Sequence, residues 1–317
     1  MPDTTTVSSS AITVRALAPS DLDAVVALDR RITGGSRRGY FQKRLASALR
    51  QPKLHLQLAA TTSGGMAGFI LGRVVDGEFG RVGAAAVLET VGVDASVRHH
   101  GLGHRLLASL EERLHARDIG AIVTHVDWRN HLMLRFLHRE GFTLAPRQIV
   151  EREVHRMPLP ETDEEIERVP PLVRHLREDD FDAIARIDRE LSGRDRSSYL
   201  RRKFDEALHE SAICVSLVAE DDGFVVAFAM ARVDFGDFGL VEPRASLDTI
   251  GVSPGFAHRG FARAVLTQMV DNLAALHVER VETEVERTSF DLLRYLYRFR
   301  FEPSQRLSFE RVTPPRG

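Results

Sequence analysis

Cysteine is almost absent from this 317-residue chain, and neither sign of charge is in clear excess. The only cysteine, Cys214, cannot form a disulfide within the chain, and the apolar run around it predicts a buried strand. Lysine and arginine number 43 against 45 aspartate and glutamate, so the composition gives no general attraction to nucleic acid. A reducing, cytoplasmic setting without a nucleic-acid partner is therefore expected.

Long apolar runs are also missing. None reaches the length of a membrane-spanning helix, and the first residues lack the basic stretch and apolar core of a signal peptide. We expect no membrane partner and a disordered leader over residues 1–11. Apolar residues still make up 43% of the chain, whose length exceeds that of one ordinary compact core. Two globular domains are the first expectation.

The sequence repeats itself once at a constant offset, without a gap. Residues and their counterparts 159 positions later include Val14 with Val173, Asp21 with Asp180, Asp29 with Asp188, Tyr40 with Tyr199, Gly92 with Gly251, Gly101 with Gly260, and Phe142 with Phe301. Chance similarity cannot keep one offset through helices, strands and turns alike, so one kind of domain is used twice. A proline-rich, acidic segment at 158–171 is predicted to be the linker. We call residues 12–157 copy one and residues 172–317 copy two.

Each copy alternates strand and helix patterns. In copy one the patterns predict strands near Val14 and at 54–60, 66–75, 86–93 and 121–126, and helices after Asp21 and at 101–116 and 130–139, with counterparts in copy two. Leucines at 102, 106, 110 and 114 form one helical stripe, matched by Phe261, Val265, Met269 and Leu273. These stripes are predicted to be core. The element order predicts an α/β fold in which a sheet is backed by helices.

The junction after Val93 carries the strongest functional signal. A strand ends there, a turn with Arg98, Gly101 and Gly103 follows, and a helix begins, so backbone N–H groups converge at the positive end of a helix dipole. A side chain at either glycine would hold the backbone away from an anion. The junction therefore predicts a phosphate-binding loop. A Walker loop is excluded by the lack of Gly-Lys-Ser/Thr, and a dinucleotide fingerprint by Leu106 at its third glycine position.

This junction resembles the acetyl-CoA loop of the GCN5-related N-acetyltransferases (GNATs), Arg/Gln-x-x-Gly-x-Gly/Ala after a strand, here Arg98-x-x-Gly101-x-Gly103. The resemblance extends through about 145 residues of each copy and includes Asn130 and the Gly141-Phe142 pair. It implies two tandem GNAT-like domains, each a mixed, largely antiparallel sheet with flanking helices.

The resemblance also implies a set of acetyl-CoA contacts. Backbone of strand residues would pair with the pantetheine arm, loop residues would hold the pyrophosphate, and Asn130 would contact the far arm. In copy one these residues are Val91, Gly92, Val93, Arg98, His99, His100, Gly101, Leu102, Gly103, His104 and Asn130; in copy two they are Ile250, Gly251, Val252, His258, Arg259, Gly260, Phe261, Ala262 and Ser289. Copy two has Ala257 in place of the leading basic residue and Arg300 in place of the late glycine. Copy one is therefore expected to be the better acetyl-CoA site, and no metal is expected in either.

Candidate catalytic residues follow from the same resemblance. Glu89 and Asp248 occupy the strand position where the family often places its general base, although an ion pair explains a carboxylate in an apolar strand equally well. The family's usual acid is a tyrosine four residues before the late glycine, where this chain has Leu137 and Leu296. Tyr297 lies one position further on, which turns it about 100° around the helix. It is retained as a candidate acid, with packing on the helix as the alternative interpretation.

Two interpretations of function remain open. One is an N-acetyltransferase that moves an acetyl group directly from acetyl-CoA to an amine on a small molecule or a protein, acting as a monomer or homodimer. The other is an acyl-CoA-binding regulatory or scaffold protein in which one or both copies have lost catalysis. Glu282, Glu284 and Glu286 alternate along one strand and predict a solvated acidic face or, in an acetyltransferase cleft, an attraction for a cationic amine.

Overall fold

The computed structural model describes residues 12–76, 83–98, 100–155, 171–210, 215–235 and 243–312. The sequence predictions for the leader at 1–11, for most of the linker, and for His99 and Cys214 concern residues outside these ranges.

The helices of the described ranges fall into two matching sets. They are α1 (Leu22–Thr33), α2 (Arg38–Arg50), α3 (Leu102–His115) and α4 (His131–Arg139) in copy one, and α5 (Phe181–Ser192), α6 (Ser197–Asp205), α7 (Phe261–Ala275) and α8 (Phe290–Arg298) in copy two. A π-helical turn, Glu206–Glu210, follows α6. None of these described helices combines the length and the apolar character needed to cross a membrane.

The strands also come in two matching sets. They are β1 (Thr13–Ala16), β2 (His55–Thr62), β3 (Gly65–Asp76), β4 (Ala84–Val93), β5 (Ala121–Asp127), β6 (Thr143–Leu144) and β7 (Arg147–Glu153), then β8 (Leu172–His175), β9 (Leu217–Asp221), β10 (Phe224–Phe235), β11 (Pro243–Val252), β12 (Arg280–Glu286), β13 (Glu302–Pro303) and β14 (Arg306–Val312). The helices and strands that the sequence predicted are confirmed within a few residues. The pattern analysis missed α2 and α6, whose buried faces include the charged residues Arg44 and Lys203.

Two mixed sheets with helices on both faces form the molecule, which confirms the α/β tandem GNAT-like architecture. The strand order is β1-β2-β3-β4-β5-β14-β6 in one sheet and β13-β7-β12-β11-β10-β9-β8 in the other. Helix α3 packs its leucine stripe on one face of the first sheet, and α1 and α2 cover the opposite face. The predicted stripes of α3 and α7 are buried.

The two copies exchange their last long strands. β14, the end of copy two, runs antiparallel to β5 of copy one, with Ser308 opposite His125. β7, the end of copy one, runs antiparallel to β12 of copy two, with Ile149 opposite Glu284. The predicted domain limits at 157 and 172 describe the repeat along the chain, whereas each sheet contains segments from both sides of the linker. Neither sheet is closed by its own copy.

Where the exchanged strands cross, the two copies meet through buried polar groups. We call His125, Glu282, Glu284, Arg306 and Ser308 the junction cluster. Nε2 of His125 lies 3.1 Å from a carboxylate oxygen of Glu284, its counterpart 159 residues later, and Arg306 donates at 2.7 Å to Glu282. The hydroxyl of Ser308 donates to Glu284. The side chains of Glu284 and Glu282 are only 3% and 13% exposed and lie against His125 and Arg306, so the solvated acidic face expected from the sequence was wrong for these two residues.

The strand exchange predicts that damage to the end of copy two appears in copy one. A chain that stops at Gln305 lacks β14, so the edge of β5 loses its hydrogen-bonding partner and Phe309 is lost from contact with the copy-one core. Hydrogen exchange measured by mass spectrometry should then show faster exchange over 121–127. Strand β9, at the far side of the copy-two sheet, is the internal reference. Faster exchange in β9 with β5 still protected would contradict the exchanged arrangement.

Candidate functional site

The candidate site of each copy begins where two parallel strands stop pairing. β4 and β5 pair only at Ala86 with Ile122 and at Val87 with Val123. The hydroxyl of Thr124 then donates at 2.9 Å to the carbonyl of Leu88, and beyond this point the strands separate. The edge of β4 that faces β5 therefore carries backbone groups, up to Val93, that this neighbouring strand does not satisfy.

Copy two repeats this geometry. β11 and β12 pair over three positions that end at Ser246 with Glu282, and Thr283 donates at 2.8 Å to the carbonyl of Leu247. The residues predicted to pair with a pantetheine arm, Val91 to Val93 and Ile250 to Val252, all lie on these separated edges.

Both predicted bases occupy a β-bulge. Along β3 and β4, Leu71 pairs with Thr90 and the next residue, Gly72, pairs with Leu88, so Glu89 is the extra residue. Along β10 and β11, Met230 pairs with Thr249 and Ala231 with Leu247, so Asp248 is the extra residue. A bulge locally bends the strand and redirects its side chain. The carboxylates are therefore turned away from the regular alternation of their strands.

Each of these carboxylates lies against two cations. Glu89 is 2% exposed and lies 2.9 Å from Arg44 of α2 and 3.1 Å from Arg73 of β3. The side chain of Asp248 is 6% exposed and lies 3.2 Å from Lys203 and 3.9 Å from Arg232, which are the counterparts of those arginines. The sequence left the choice between base and ion pair open, and the geometry contains the ion pair in both copies. A catalytic role for Glu89 and Asp248 stays a prediction.

The arginines beside Glu89 also act on His55, which interacts electrostatically with the other copy. Burial, together with the charges of Arg44, Arg73 and Arg50, lowers the pKa of His55 to about 4, and Glu206 of copy two acts in the opposite direction. Glu206 itself accepts a hydrogen bond at 2.9 Å from Lys203, the partner of Asp248. The charged groups beneath the two sites are therefore electrostatically connected across the copies.

The copy-one loop has a rigid start. A carboxylate oxygen of Asp94 accepts from the backbone N–H of Ser96 at 3.0 Å and from its hydroxyl at 2.8 Å, and Arg31 donates to the other oxygen at 2.8 Å. These hydrogen bonds lower the pKa of Asp94 to about 2. The guanidinium of Arg98 donates at 3.3 Å to the carbonyl of Val93, and His100 lies 2.9 Å from the carbonyl of Arg98. The loop is thus fixed to the end of β4.

Different structural constraints favour glycine at the two loop positions of copy one, Gly101 and Gly103. Gly101 is the N-cap residue of α3 with φ of 72°, and a Cβ there would meet no atom within 4 Å, which fits an open anion-binding turn. A Cβ on Gly103 would come within 3.0 Å of the Phe136 ring. The steric constraint at Gly103 is therefore packing of α3 against α4, a constraint that the sequence interpretation did not foresee.

The late polar residues are helix caps. The side-chain oxygen of Asn130 accepts from the backbone N–H of Met133 at 3.1 Å at the start of α4. Ser289 holds the same position before α8 without a side-chain capping bond. Leu102 is buried, and His104 lies on the α3 surface with Nδ1 2.9 Å from Glu140. The predicted contacts of Asn130 and Ser289 with acetyl-CoA remain predictions.

The copy-two loop borders a cavity of about 740 Å³. Gly260 caps α7 with φ of 88°, and the preceding His258 also has a positive φ of 62°. Arg259 stacks on Phe256, with its guanidinium carbon 5.1 Å from the ring centre. The cavity is lined on this side by Val252, His258, Gly260, Phe261 and Ala262, which are all predicted contacts. Arg259, also a predicted contact, is not one of the lining residues. The structure therefore brings five of the nine predicted copy-two contacts together around one space.

The candidate acid Tyr297 also lines this cavity. Tyr297 is 41% exposed, and its hydroxyl accepts a hydrogen bond at 2.7 Å from the amide of Gln148, which belongs to the exchanged strand β7. Tyr295 also lines the cavity, and burial raises the pKa of its hydroxyl. Leu137 and Leu296, at the family's tyrosine position, are core residues. Gln148 was invisible to sequence reasoning because it comes from the other copy.

Within the part of the chain that the structure describes, no three His, Cys, Asp or Glu side chains are grouped closely enough to hold a metal ion. The sequence prediction that no metal is required stays a prediction.

The burial of charged groups predicts a pH-dependent stability. Because the pKa of His55 is about 4 in the folded protein and ordinary in the unfolded chain, the unfolded state binds the extra proton between these values. This part of the stability is complete above about pH 6.5 and is lost as the pH falls toward 4. Urea unfolding at pH 7 and pH 4.5 should show that the wild type loses about 2 kcal/mol more than His55→Gln. Equal losses in the two proteins would contradict the assignment.

Comparison with known proteins agrees with this geometry. A profile of the family described as Acetyltransferase (GNAT) family matches residues 23–142 and residues 174–301, which together exceed half of the chain. No curated protein gives a significant match.

Three solved structures have a similar fold. A GCN5-related N-acetyltransferase from Sphaerobacter thermophilus shares 17% identity with a TM-score of 0.63, over 96% of each chain. A tandem GNAT protein from the clavulanic acid biosynthesis pathway shares 14% identity with a TM-score of 0.64, over 97% of this chain and 100% of that one. A glucosamine N-acetyltransferase region of a fungal multi-domain GH3 β-N-acetylglucosaminidase shares 15% identity with a TM-score of 0.69, over 96% of this chain and only 38% of that one. At these identities the likeness concerns the fold alone.

Proposed function

Because this chain belongs to the GNAT acetyltransferase family, we propose that it moves an acetyl group from acetyl-CoA directly to an amine acceptor. The acceptor amine belongs to a small molecule or a protein, and the protein works in the cytoplasm as a monomer or homodimer. Neither a nucleic acid nor a membrane is part of the proposal.

The observation that carries the proposal is the separation of β4 from β5, followed by a glycine turn and a helix N-terminus, in both copies. The open strand edge offers N–H and C=O groups to an extended amide-containing arm. The helix N-terminus offers N–H groups and a positive dipole to phosphates. An extended chain that carries amides at one end and phosphates at the other matches this order of groups.

The residues present fit such a ligand. A side chain on Gly101 or Gly260 would project into open space, so the backbone there is accessible, and the copy-two cavity has the size of a small-molecule site. Residues 91–93 and 250–252 would hold the amide arm, and the loop residues up to His104 and Ala262 would hold the phosphates. Acetyl-CoA supplies the thioester carbonyl that the amine attacks.

The chain's own groups would handle two protons. The attacking amine must lose a proton, and Glu89 or Asp248 is the candidate acceptor on the strand that borders the site. The leaving sulfur must gain a proton or be stabilised, and the Tyr297 hydroxyl is the candidate donor in copy two. Because Gln148 donates to the oxygen of Tyr297, the hydroxyl hydrogen is available for another acceptor.

A second candidate function is acyl-CoA-dependent regulation without turnover. The observations that favour it are the pairing of Glu89 and Asp248 with two cations each, and the burial of Leu137 and Leu296 where the family has its tyrosine. A carboxylate held between two cations is a weak base. Turnover with a panel of amines separates the two functions, because the regulatory protein binds acetyl-CoA and releases no free thiol.

Acetyl-CoA binding tests the proposal first. Isothermal titration of the full chain should give saturable binding, and Gly101→Val and Gly260→Val should each remove the site of its own copy. A valine at either position has an unfavourable positive φ and places bulk where phosphates would approach. The unaltered copy in each variant is the folding control. Absence of binding in the wild type would remove the acetyltransferase proposal.

The role of Glu89 is tested by separating stability from chemistry. Glu89→Gln leaves Arg44 and Arg73 buried beside a neutral group, so urea unfolding should show a loss of about 3–5 kcal/mol. Asp248→Asn is the matched change in copy two. If Glu89 acts only as a base, the free energy of unfolding stays the same, and the rate loses its dependence on pH on the acidic side.

A further inference from the structure

The copy-two cavity has a strongly cationic wall. Of its lining residues, His258, Arg263, Arg298 and Arg300 carry basic groups, and no described carboxylate lines it. Arg298 and Arg300 are exposed and form no ion pair within the described ranges. Both guanidinium groups are therefore open to an anion from the cavity.

The equivalent wall of copy one carries less fixed charge. At the loop positions, copy one has His100 and His104 where copy two has Arg259 and Arg263. Arginine is charged at every pH at which proteins fold, whereas histidine is charged only in acid. The leading Arg98 of copy one, which is Ala257 in copy two, is already bonded to the carbonyl of Val93.

The helix that faces the loop adds to the difference. At the end of α4, copy one has a carboxylate, Glu140, that lies 2.9 Å from His104 and 4.0 Å from Arg311. Copy two has Phe299 at this position, which is buried and packs against Tyr295 with 4.8 Å between the ring centres. Copy two therefore lacks the negative charge that partly cancels the cations of copy one.

The next position, Gly141 in copy one and Arg300 in copy two, also adds positive charge to the copy-two wall. Gly141 has φ of 77°, and its counterpart Arg300 keeps this conformation with φ of 61°. An L side chain rarely adopts it, so the chain carries an arginine where the backbone favours glycine. Copy two thus keeps the positive φ of the late glycine although its residue is an arginine, and this arginine adds a cation to the cavity wall.

We propose that copy two is the tighter coenzyme A site, and that Arg263, Arg298 and Arg300 hold the phosphate groups of the ligand. The proposal rests on the proposed function and reverses the ranking expected from the loop sequences. The ligand class is a nucleotide with several phosphates on an extended arm, because three fixed cations on a wall without a described carboxylate favour a multiply charged anion. Its binding weakens steeply with added salt.

The test uses coenzyme A and the full-length protein. Titration calorimetry at pH 8, in 50 and 300 mM salt, should resolve one tighter site with the steeper salt dependence. Arg300→Gly should weaken that site about fivefold to tenfold and leave the other site unchanged. Arg300→Lys keeps the charge and should weaken it less than twofold. Because glycine suits the positive φ, Arg300→Gly should unfold at a temperature no lower than the wild type, which separates lost affinity from misfolding.

The glycine variants assign the sites. Gly260→Val should remove the tighter site, and Gly101→Val should leave it. If Gly101→Val removes the tighter site, the ranking of the copies is wrong. If Arg300→Gly changes neither affinity, the assignment of Arg300 to the phosphate groups is wrong. The proposed function stands in both cases. If coenzyme A does not bind to the wild type at all, both the ranking and the proposed function fail.

Discussion

The exchange of β7 and β14 is the constraint on which the rest of the structure depends. Each sheet is completed by a strand from the other copy, so neither copy satisfies its backbone hydrogen bonds alone. The crossing also forces polar strands into the interior, where His125 meets Glu284 and Arg306 meets Glu282. Buried charges are costly unless paired and hydrogen-bonded. Here Glu284 pairs with His125 of copy one, and Glu282 of the second sheet pairs with Arg306, which lies on the strand that completes the first sheet. Pairing in the junction cluster therefore makes correct folding of one copy a condition for the other.

Much of the architecture was predictable from the sequence, because the offset of 159 residues doubles every signal. The strand exchange was not predictable, and the physical reason is the repeat itself. Since β7 and β14 are counterparts, the hydrophobic pattern that lets β14 pair with β5 is the same pattern that would let β7 do so. Helices α2 and α6 escaped detection for a different reason. Their inward faces carry Arg44 and Lys203, which are buried only because Glu89 and Asp248 receive them.

At the candidate site, the sequence predicted the arrangement of residues that are neighbours along the chain, and it did not predict contacts between distant residues. The strand, turn and helix at 91–104 follow one another in the chain, so their arrangement was expected from residue order. By contrast, the partners of Glu89 are 45 and 16 residues away along the chain, and the packing that requires glycine at 103 comes from Phe136. Gln148 reaches Tyr297 only through the exchanged strand. Patterns report periodicity and composition, and they do not report which element covers a given side chain.

A fold shared in this way leaves the two sites free to differ. Both copies depend on the groups that complete the sheets, which are β7, β14 and the junction cluster. A change in these groups therefore affects both copies. The loop and helix-end residues that surround each cofactor region belong to one copy, as Arg263, Arg298 and Arg300 do in copy two and Glu140 does in copy one. Substitutions at those positions alter the local charge without disturbing strand pairing. Divergence of the copies is therefore expected in loop charge and in ligand affinity, while the sheets and the buried ion pairs beneath the sites keep their common plan.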